Sequence, residues 1–191
     1  MQTNLPNLLT FSRIAFVPLV VGALYIEPPL GPWLSLGLYA AACLTDFFDG
    51  YLARAWEVQS ALGRMLDPIA DKLLVASLLM VLVGLGRLEG LHLFAAVVIL
   101  AREILVSGLR EFLAELRVRV PVTYLAKWKT TIQMLALGFL IVGPTGPQLG
   151  PLSTLQVGLV GLWIAALLTL VTGYDYLQAG LKTAVGEDEQ S

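Results

Sequence analysis

Long apolar runs, broken by short polar or proline-rich segments, dominate the chain. Six of them approach the roughly 20 residues that a membrane-spanning helix needs. They run from Leu8 to Ile26, Trp33 to Ala55, Pro68 to Gly86, Leu91 to Phe112, Tyr124 to Gly143 and Leu152 to Tyr176. Glu27-Pro28-Pro29 closes the first run, and a polar stretch from Glu115 to Pro121 separates the fourth from the fifth. Pro144-Thr145-Gly146-Pro147-Gln148-Leu149-Gly150-Pro151 cannot continue a helix, because its prolines offer no N–H. No charge falls between Lys129 and Asp175, a length that holds two spans with that turn between them. The runs are continuously apolar, whereas a transmembrane β-barrel needs short alternating segments. The expected fold is all-α: a polytopic membrane protein with six transmembrane helices.

Composition agrees. Hydrophobic residues make up 57% and charged residues 14% of the 191 positions, against about 25% charged in soluble domains. Twelve Lys and Arg face fourteen Asp and Glu, a net charge of -2, which argues against an electrostatic nucleic-acid binder. Cys43 is the single cysteine, so no internal disulfide forms. Met1 to Thr10 lacks the basic stretch of a signal peptide, so the N-terminus is expected to be retained. One domain is expected over residues 1–180, followed by a short, acidic, disordered tail over 181–191.

With six spans, one face carries both termini and the loops between spans two and three and between four and five. Arg54, Arg64, Arg117, Arg119 and Lys182 fall there, and Arg13, Lys72, Arg102, Arg110, Lys127 and Lys129 lie in the helix halves nearest it. Only Arg87 belongs to the other side. The positive-inside rule therefore places both termini in the cytoplasm, and Trp33, Trp56 and Trp128 suit interfacial anchoring.

Charges at membrane depth carry the chemistry, because an intramembrane carboxylate costs about 3 kcal/mol on insertion scales. Span two ends in Asp46-Phe47-Phe48-Asp49-Gly50-Tyr51-Leu52-Ala53-Arg54, and span three opens with Asp67-Pro68-Ile69-Ala70-Asp71-Lys72. At i, i+3 and i+4 spacing, Asp46, Asp49, Gly50 and Ala53 share a stripe, as do Asp67 and Asp71. A short connection makes the two helices antiparallel neighbours, so the carboxylates meet at one depth. Four converging carboxylates repel unless a divalent cation joins them, and all-oxygen ligation points to Mg²⁺, Mn²⁺ or Ca²⁺. Zinc is disfavoured because Cys43 and His92 lie away from the cluster. Gly50, Ala53 and Gly63 leave room for a ligand, and phosphate esters are what such metal sites usually grip. The competing reading has these acids capping helices or pairing with Arg54, Arg64 and Lys72; Asp67 before Pro68 reads as an N-cap with proline at the first helical position.

A second polar set holds Arg102-Glu103 and Arg110-Glu111 on span four and Lys127-Trp128-Lys129 on span five. Lys127 and Lys129 cannot both face inward on a helix, so one snorkels to the interface. Arginine forks bind phosphate bidentately, which makes a second anionic ligand reasonable, beside the simpler reading of anchoring and Arg–Glu pairing. On span one Asn7, Thr10 and Arg13 share a face; Asn4 and Asn7 either cap the helix or contact ligand, and Arg13 is the stronger candidate.

Taken together, Asp46-x2-Asp49-Gly50-x2-Ala53-Arg54-x8-Gly63-x3-Asp67-x3-Asp71 resembles the signature of the CDP-alcohol phosphatidyltransferases at all eight positions. The segments Asn4 to Arg13, Ala101 to Glu111 and Lys127 to Thr130 resemble the bacterial members that use glycerol 3-phosphate. The resemblance covers the chain to about Ala179. It implies six helices around a cytoplasm-facing polar cavity, a homodimer in the bacterial cytoplasmic membrane, and transfer of phosphatidyl from CDP-diacylglycerol to sn-glycerol 3-phosphate, giving phosphatidylglycerophosphate and CMP. It further implies two divalent ions, Mg²⁺ or Mn²⁺, held by Asp46, Asp49, Asp67 and Asp71, with Asp71 the general base. Gly50, Ala53, Arg54 and Gly63, joined by Asn7 and Arg13, then serve the CDP moiety, and Arg102, Arg110, Lys127 and Lys129 the acceptor phosphate. Other acceptors (inositol phosphate, phosphatidylglycerol, serine) and, from a different class, a divalent-cation transporter remain as rivals. The basic cluster disfavours serine, and acids gathered towards one face disfavour a transporter, whose sites lie near the midplane.

Overall fold

Apolar stretches longer than a dozen residues, without interior glycine–proline breaks, fold as helices because the backbone then satisfies its own hydrogen bonds. The computed structural model describes residues 4–55, 61–115 and 124–188, and within these the side chains of 4–11, 13, 47–55, 61–65, 67, 115, 175 and 179–188 lie outside the description. The helices are α1 (Asn4–Ala23), α2 (Leu30–Ala55), α3 (Ala61–Gly84), α4 (His92–Glu115), α5 (Tyr124–Val142) and α6 (Thr154–Asp188). Between α5 and α6 the proline-rich segment forms a single 3₁₀ turn (Gly143–Thr145) and a two-residue antiparallel pair, β1 (Gln148–Leu149) with β2 (Leu152–Ser153). The expectation of an all-α chain holds.

Three helical stretches are long and apolar enough to cross a membrane among the described residues: His92–Ala114, Tyr124–Thr145 and Thr154–Gln178. Ile14–Ala23 is a shorter apolar stretch.

Three boundaries differ from expectation for physical reasons. Helix α3 begins at Ala61, so Pro68 lies inside it and Asp67 is not its N-cap. A proline there forgoes one bond to the carbonyl four residues back but does not stop a helix already formed. Helix α1 starts at Asn4 and includes Asn7, which removes Asn7 as the cap. At the other end α6 runs well past Tyr176 to Asp188, over a segment with no proline to end it.

The chain divides into two compact units. The first contains Met1–Leu88 and Leu137–Gly158. In it α1 packs on both α2 and α3, and the buried Ser35 hydroxyl donates to the Val20 carbonyl at 2.9 Å, joining α2 to α1. Its interior holds Val20, Leu78, Leu82, Leu140 and Ile141. Arg87 donates through Nη1 to the carbonyl of Leu140 at 2.8 Å and to that of Ile141. It thereby satisfies carbonyls at the end of α5 that have no intrahelical partner. Partial burial lowers the guanidinium's pKa from its ordinary value. Gly143 has φ +54, and a Cβ there would lie 3.2 Å from the Arg87 guanidinium, so both backbone and space demand glycine.

The second unit contains Glu89–Ala136 and Leu159–Ser191. Ala95, Ile99, Val106, Leu113, Leu137's neighbour Ala136, Leu162, Ala165 and Ala166 are buried, while large apolar side chains such as Phe94, Ile104, Leu167 and Trp128 point outward. An apolar exterior over helices of this length is the mark of a membrane protein. Small residues let α5 and α6 approach closely. A Cβ on Gly161 would lie 3.0 Å from that of Ala136, and one on Gly158, in the first unit, would lie 2.9 Å from Leu140 Cγ and 3.0 Å from its backbone nitrogen. Because the backbone cannot yield as a flexible side chain does, Gly158→Val is expected to destabilise the fold by about 1–3 kcal/mol. A lowered midpoint of thermal unfolding in detergent checks this; an unchanged midpoint would mean that α6 shifts freely.

Candidate active site

The acids sit in the first unit. Asp46 lies half-buried on α2, and Asp71 is exposed on α3, flanked by the half-buried Lys72. Each of these three makes an interaction of its own. Ala70 and Leu74 are buried, which fixes the face of α3 that turns inward and leaves Asp71 on the accessible side. Backbone alone places the rest: Asn7 and Arg13 on α1, Asp49, Gly50, Ala53 and Arg54 on α2, Gly63 and Asp67 on α3. Their side chains lie outside the described residues, as does Trp56 entirely. The early start of α3 puts Gly63, Asp67 and Asp71 on one continuous helix at i, i+4, i+8, hence on one face. Among the described residues no group of three or more His, Cys, Asp or Glu is assembled. The Asp46 and Asp71 carboxylates are oxygen donors, chemistry that fits Mg²⁺ or Mn²⁺ rather than a thiophilic metal. His92 Nδ1 accepts from the Trp163 indole at 3.1 Å, at the start of α4.

The bases sit in the second unit, and here side-chain geometry is explicit. Arg102 on α4 donates from Nη2 to the Thr172 hydroxyl on α6 at 2.9 Å. Its Nη1 lies 3.7 Å from Glu103 Oε1. Lys129 on α5 is 4% exposed and pairs directly with Glu103. Tyr176, also buried, receives two guanidiniums over its ring, Arg102 at 5.9 Å and Arg110 at 5.7 Å from the centroid. Gly173 makes the seat, since a Cβ there would lie 3.1 Å from Arg102 Cγ. Two like charges over one ring, with one shared carboxylate beside them, form a site that favours an anion.

Lys127 is not part of this arrangement. It is exposed, with its ammonium 5.5 Å from the centre of the Tyr124 ring. Of the two lysines it is the one that turns to the surface, as helical geometry requires of residues two apart. Arg102 and Arg110 on α4 and Lys129 on α5 are brought together with Thr172 and Tyr176 of α6. Sequence reasoning missed Tyr176, Thr172 and the buried Gln133 and Thr169 of the same unit. Glu103 was visible as the neighbour of Arg102, but its pairing with Lys129 was not.

The chain belongs to the CDP-alcohol phosphatidyltransferase family, whose model matches residues 3–171. Among its relatives is the CDP-diacylglycerol–glycerol-3-phosphate 3-phosphatidyltransferase of Rickettsia bellii, 48% identical over 92% of this chain and 94% of that protein. Proteins of the same name from Pectobacterium atrosepticum and Cereibacter sphaeroides are 40% and 37% identical. They are aligned over 94% and 95% of this chain and 96% and 97% of their own lengths.

Proposed function

We propose that this chain transfers the phosphatidyl group of CDP-diacylglycerol to sn-glycerol 3-phosphate, releasing CMP and forming phosphatidylglycerophosphate. The observation that carries the acceptor is the set of buried Lys129 with half-buried Arg102 and Glu103, and Arg110 over Tyr176. A phosphate monoester brings close to two negative charges at neutral pH, which answers the excess of cations there. The relatives' shared name, carried over nearly full length, supports the same reading.

In the reaction the C1 hydroxyl oxygen of glycerol 3-phosphate attacks the phosphorus that bears the diacylglycerol. The bond from that phosphorus to the bridging oxygen breaks, CMP leaves with the electron pair, and Asp71 takes the hydroxyl proton. Asp71 serves as a base only through an oxygen not engaged by metal. Asp46, Asp49, Asp67 and Asp71 would hold two divalent ions, Mg²⁺ or Mn²⁺. Bound there, such ions supply charge neutralisation on the pyrophosphate and so a better leaving group. Gly50, Ala53, Arg54 and Gly63 with Asn7 and Arg13 would receive the cytidine nucleotide, and the absence of bulk at three of these leaves room for it. Arg102, Arg110 and Lys129 hold the acceptor phosphate, while exposed Lys127 attracts the anion from the interface.

The lipid substrate explains why the enzyme lives in a bilayer: acyl chains stay in lipid while the CDP head enters a polar cavity facing the cytoplasm. In this reading six helices span the bacterial cytoplasmic membrane, both termini are cytoplasmic, and two copies associate.

CMP release by the purified protein in detergent, with CDP-diacylglycerol and Mg²⁺, tests the function. Release is expected with glycerol 3-phosphate, and not with serine or inositol, and should vanish on chelation. Release with inositol phosphate alone would replace the acceptor; release undiminished by chelator would remove the metals. Within this scheme Arg110→Ala should raise KM for glycerol 3-phosphate roughly tenfold, the loss of one charge-assisted contact. CDP-diacylglycerol binding should change less than about twofold, as no lost contact of this kind affects it. Equal losses on both substrates would assign Arg110 a structural role.

A further inference from the structure

The second unit contains buried polar atoms without a partner, and a phosphate on Arg102 accounts for only one of them. Arg102 Nε, Gln133 Oε1 and Thr169 Oγ1 are buried without a hydrogen-bond partner among the described residues. Gln133 is 4% and Thr169 0% exposed. Buried polar atoms are nearly always paired, so three orphans in one unit call for a missing partner. Thr169 is informative in another way. Thr45, Thr130, Thr131 and Thr172 each return the hydroxyl to a carbonyl of their own helix, whereas Thr169, on the same α6 as Thr172, does not. Its hydroxyl forgoes the cheapest bond available to a helical threonine.

Helical spacing puts these orphans in order. Gln133 lies one turn from Lys129 on α5, and Thr169 one turn from Thr172 on α6, each on the face of its charged or charge-bonded neighbour. Both steps lead away from Lys127 on α5 and from Tyr176 on α6. From the close approach of Ala136 and Gly161, the antiparallel pair advances turn by turn, setting Gln133 against the Ala165 level and Lys129 against Thr169. The uncharged Thr169 hydroxyl thus lies level with Lys129, and the Gln133 carboxamide one turn further along. Uncharged groups bordering the Arg102–Glu103–Lys129 group suit a ligand with both a phosphate and an uncharged hydroxyl, since amide and hydroxyl each donate and accept.

We propose that Gln133 and Thr169 are specificity-determining residues that bind the non-reacting C2 hydroxyl of the acceptor, so that the site selects a polyol phosphate over a simple alkanol phosphate. This rests on the acceptor reading above. No covalent step is involved: the C1 hydroxyl still reacts, and the C2 hydroxyl only satisfies the orphaned atoms.

The test compares sn-glycerol 3-phosphate with propane-1,3-diol monophosphate, which keeps the reacting primary hydroxyl and the phosphate and lacks only the C2 hydroxyl. CMP release by the full chain in detergent, with CDP-diacylglycerol and Mg²⁺, gives kcat/KM for each. The wild type should prefer glycerol 3-phosphate by roughly 10- to 100-fold, because a site built to bond a hydroxyl rejects the analogue without it. Gln133→Leu and the near-isosteric Thr169→Val should each lose much more activity with glycerol 3-phosphate than with the diol phosphate, so that the preference collapses. Equal use of both acceptors by the wild type overturns the proposal, as does an equal loss on both by a folded variant. If Gln133→Leu fails to elute as a single species, Thr169→Val decides. A wild type that releases CMP with neither acceptor overturns the glycerol phosphate reading itself, an outcome distinct from equal use of both.

Discussion

Asp71→Asn should lower CMP release by on the order of 10³-fold while CDP-diacylglycerol still binds within a few-fold of the wild type. The substitution preserves size and keeps one carbonyl oxygen, but an amide cannot take a proton from an alcohol at neutral pH. Buried Ala70 and Leu74 hold the inward face of α3, so the exchange at exposed Asp71 should not unseat the helix. Near-normal turnover in Asp71→Asn would move the base elsewhere. An equal collapse of CDP-diacylglycerol binding would make Asp71 a metal ligand first.

The apolar runs determined most of what sequence could reveal. Helix α5 begins at Tyr124 as expected, and α4 and α2 depart from expectation by a few residues at their ends. Proline-rich residues 144–151 were legible as a break, because missing N–H groups say where a helix must stop. They do not say that two residues on either side will pair as β1 and β2. Asp67-Pro68 misled for a related reason. The dipeptide fits a helix start, yet the upstream Ala61-Leu62-Gly63-Arg64-Met65-Leu66 also folds as helix, and tertiary context decided. Charges within apolar runs singled out Arg102, Arg110 and Lys129, since such residues are costly unless used, and the structure gathers them in the second unit. Thr172 and Tyr176 carry no such signal. An isolated threonine or tyrosine on an apolar helix is unremarkable, and the bond between Arg102 and Thr172 joins residues 70 positions apart. Gln133 and Thr169 became visible only as atoms without partners.

Lys129 offers the sharpest separation of fold from function. Its ammonium is buried and paired with Glu103, whose side chain is 22% exposed. Lys129→Met leaves that carboxylate with Arg102, 3.7 Å away, as its nearest cation. Breaking a buried pair by removing one partner costs up to 3–5 kcal/mol, and with Arg102 still present about 2 kcal/mol is the expected loss of stability. Adding Glu103→Gln removes the stranded charge, so the double variant should regain most of that stability, read as the midpoint of thermal unfolding in detergent. Turnover should not follow. If Lys129 binds the acceptor phosphate, kcat/KM for glycerol 3-phosphate stays down by on the order of 10²-fold in both variants, the loss of a charged contact in a largely desolvated site. The CDP-diacylglycerol affinity should be near normal in the double variant. Recovery of turnover together with stability would reduce Lys129 to the structural partner of Glu103 and leave the phosphate to Arg102 and Arg110. Stability regained without turnover places the lysine on the substrate.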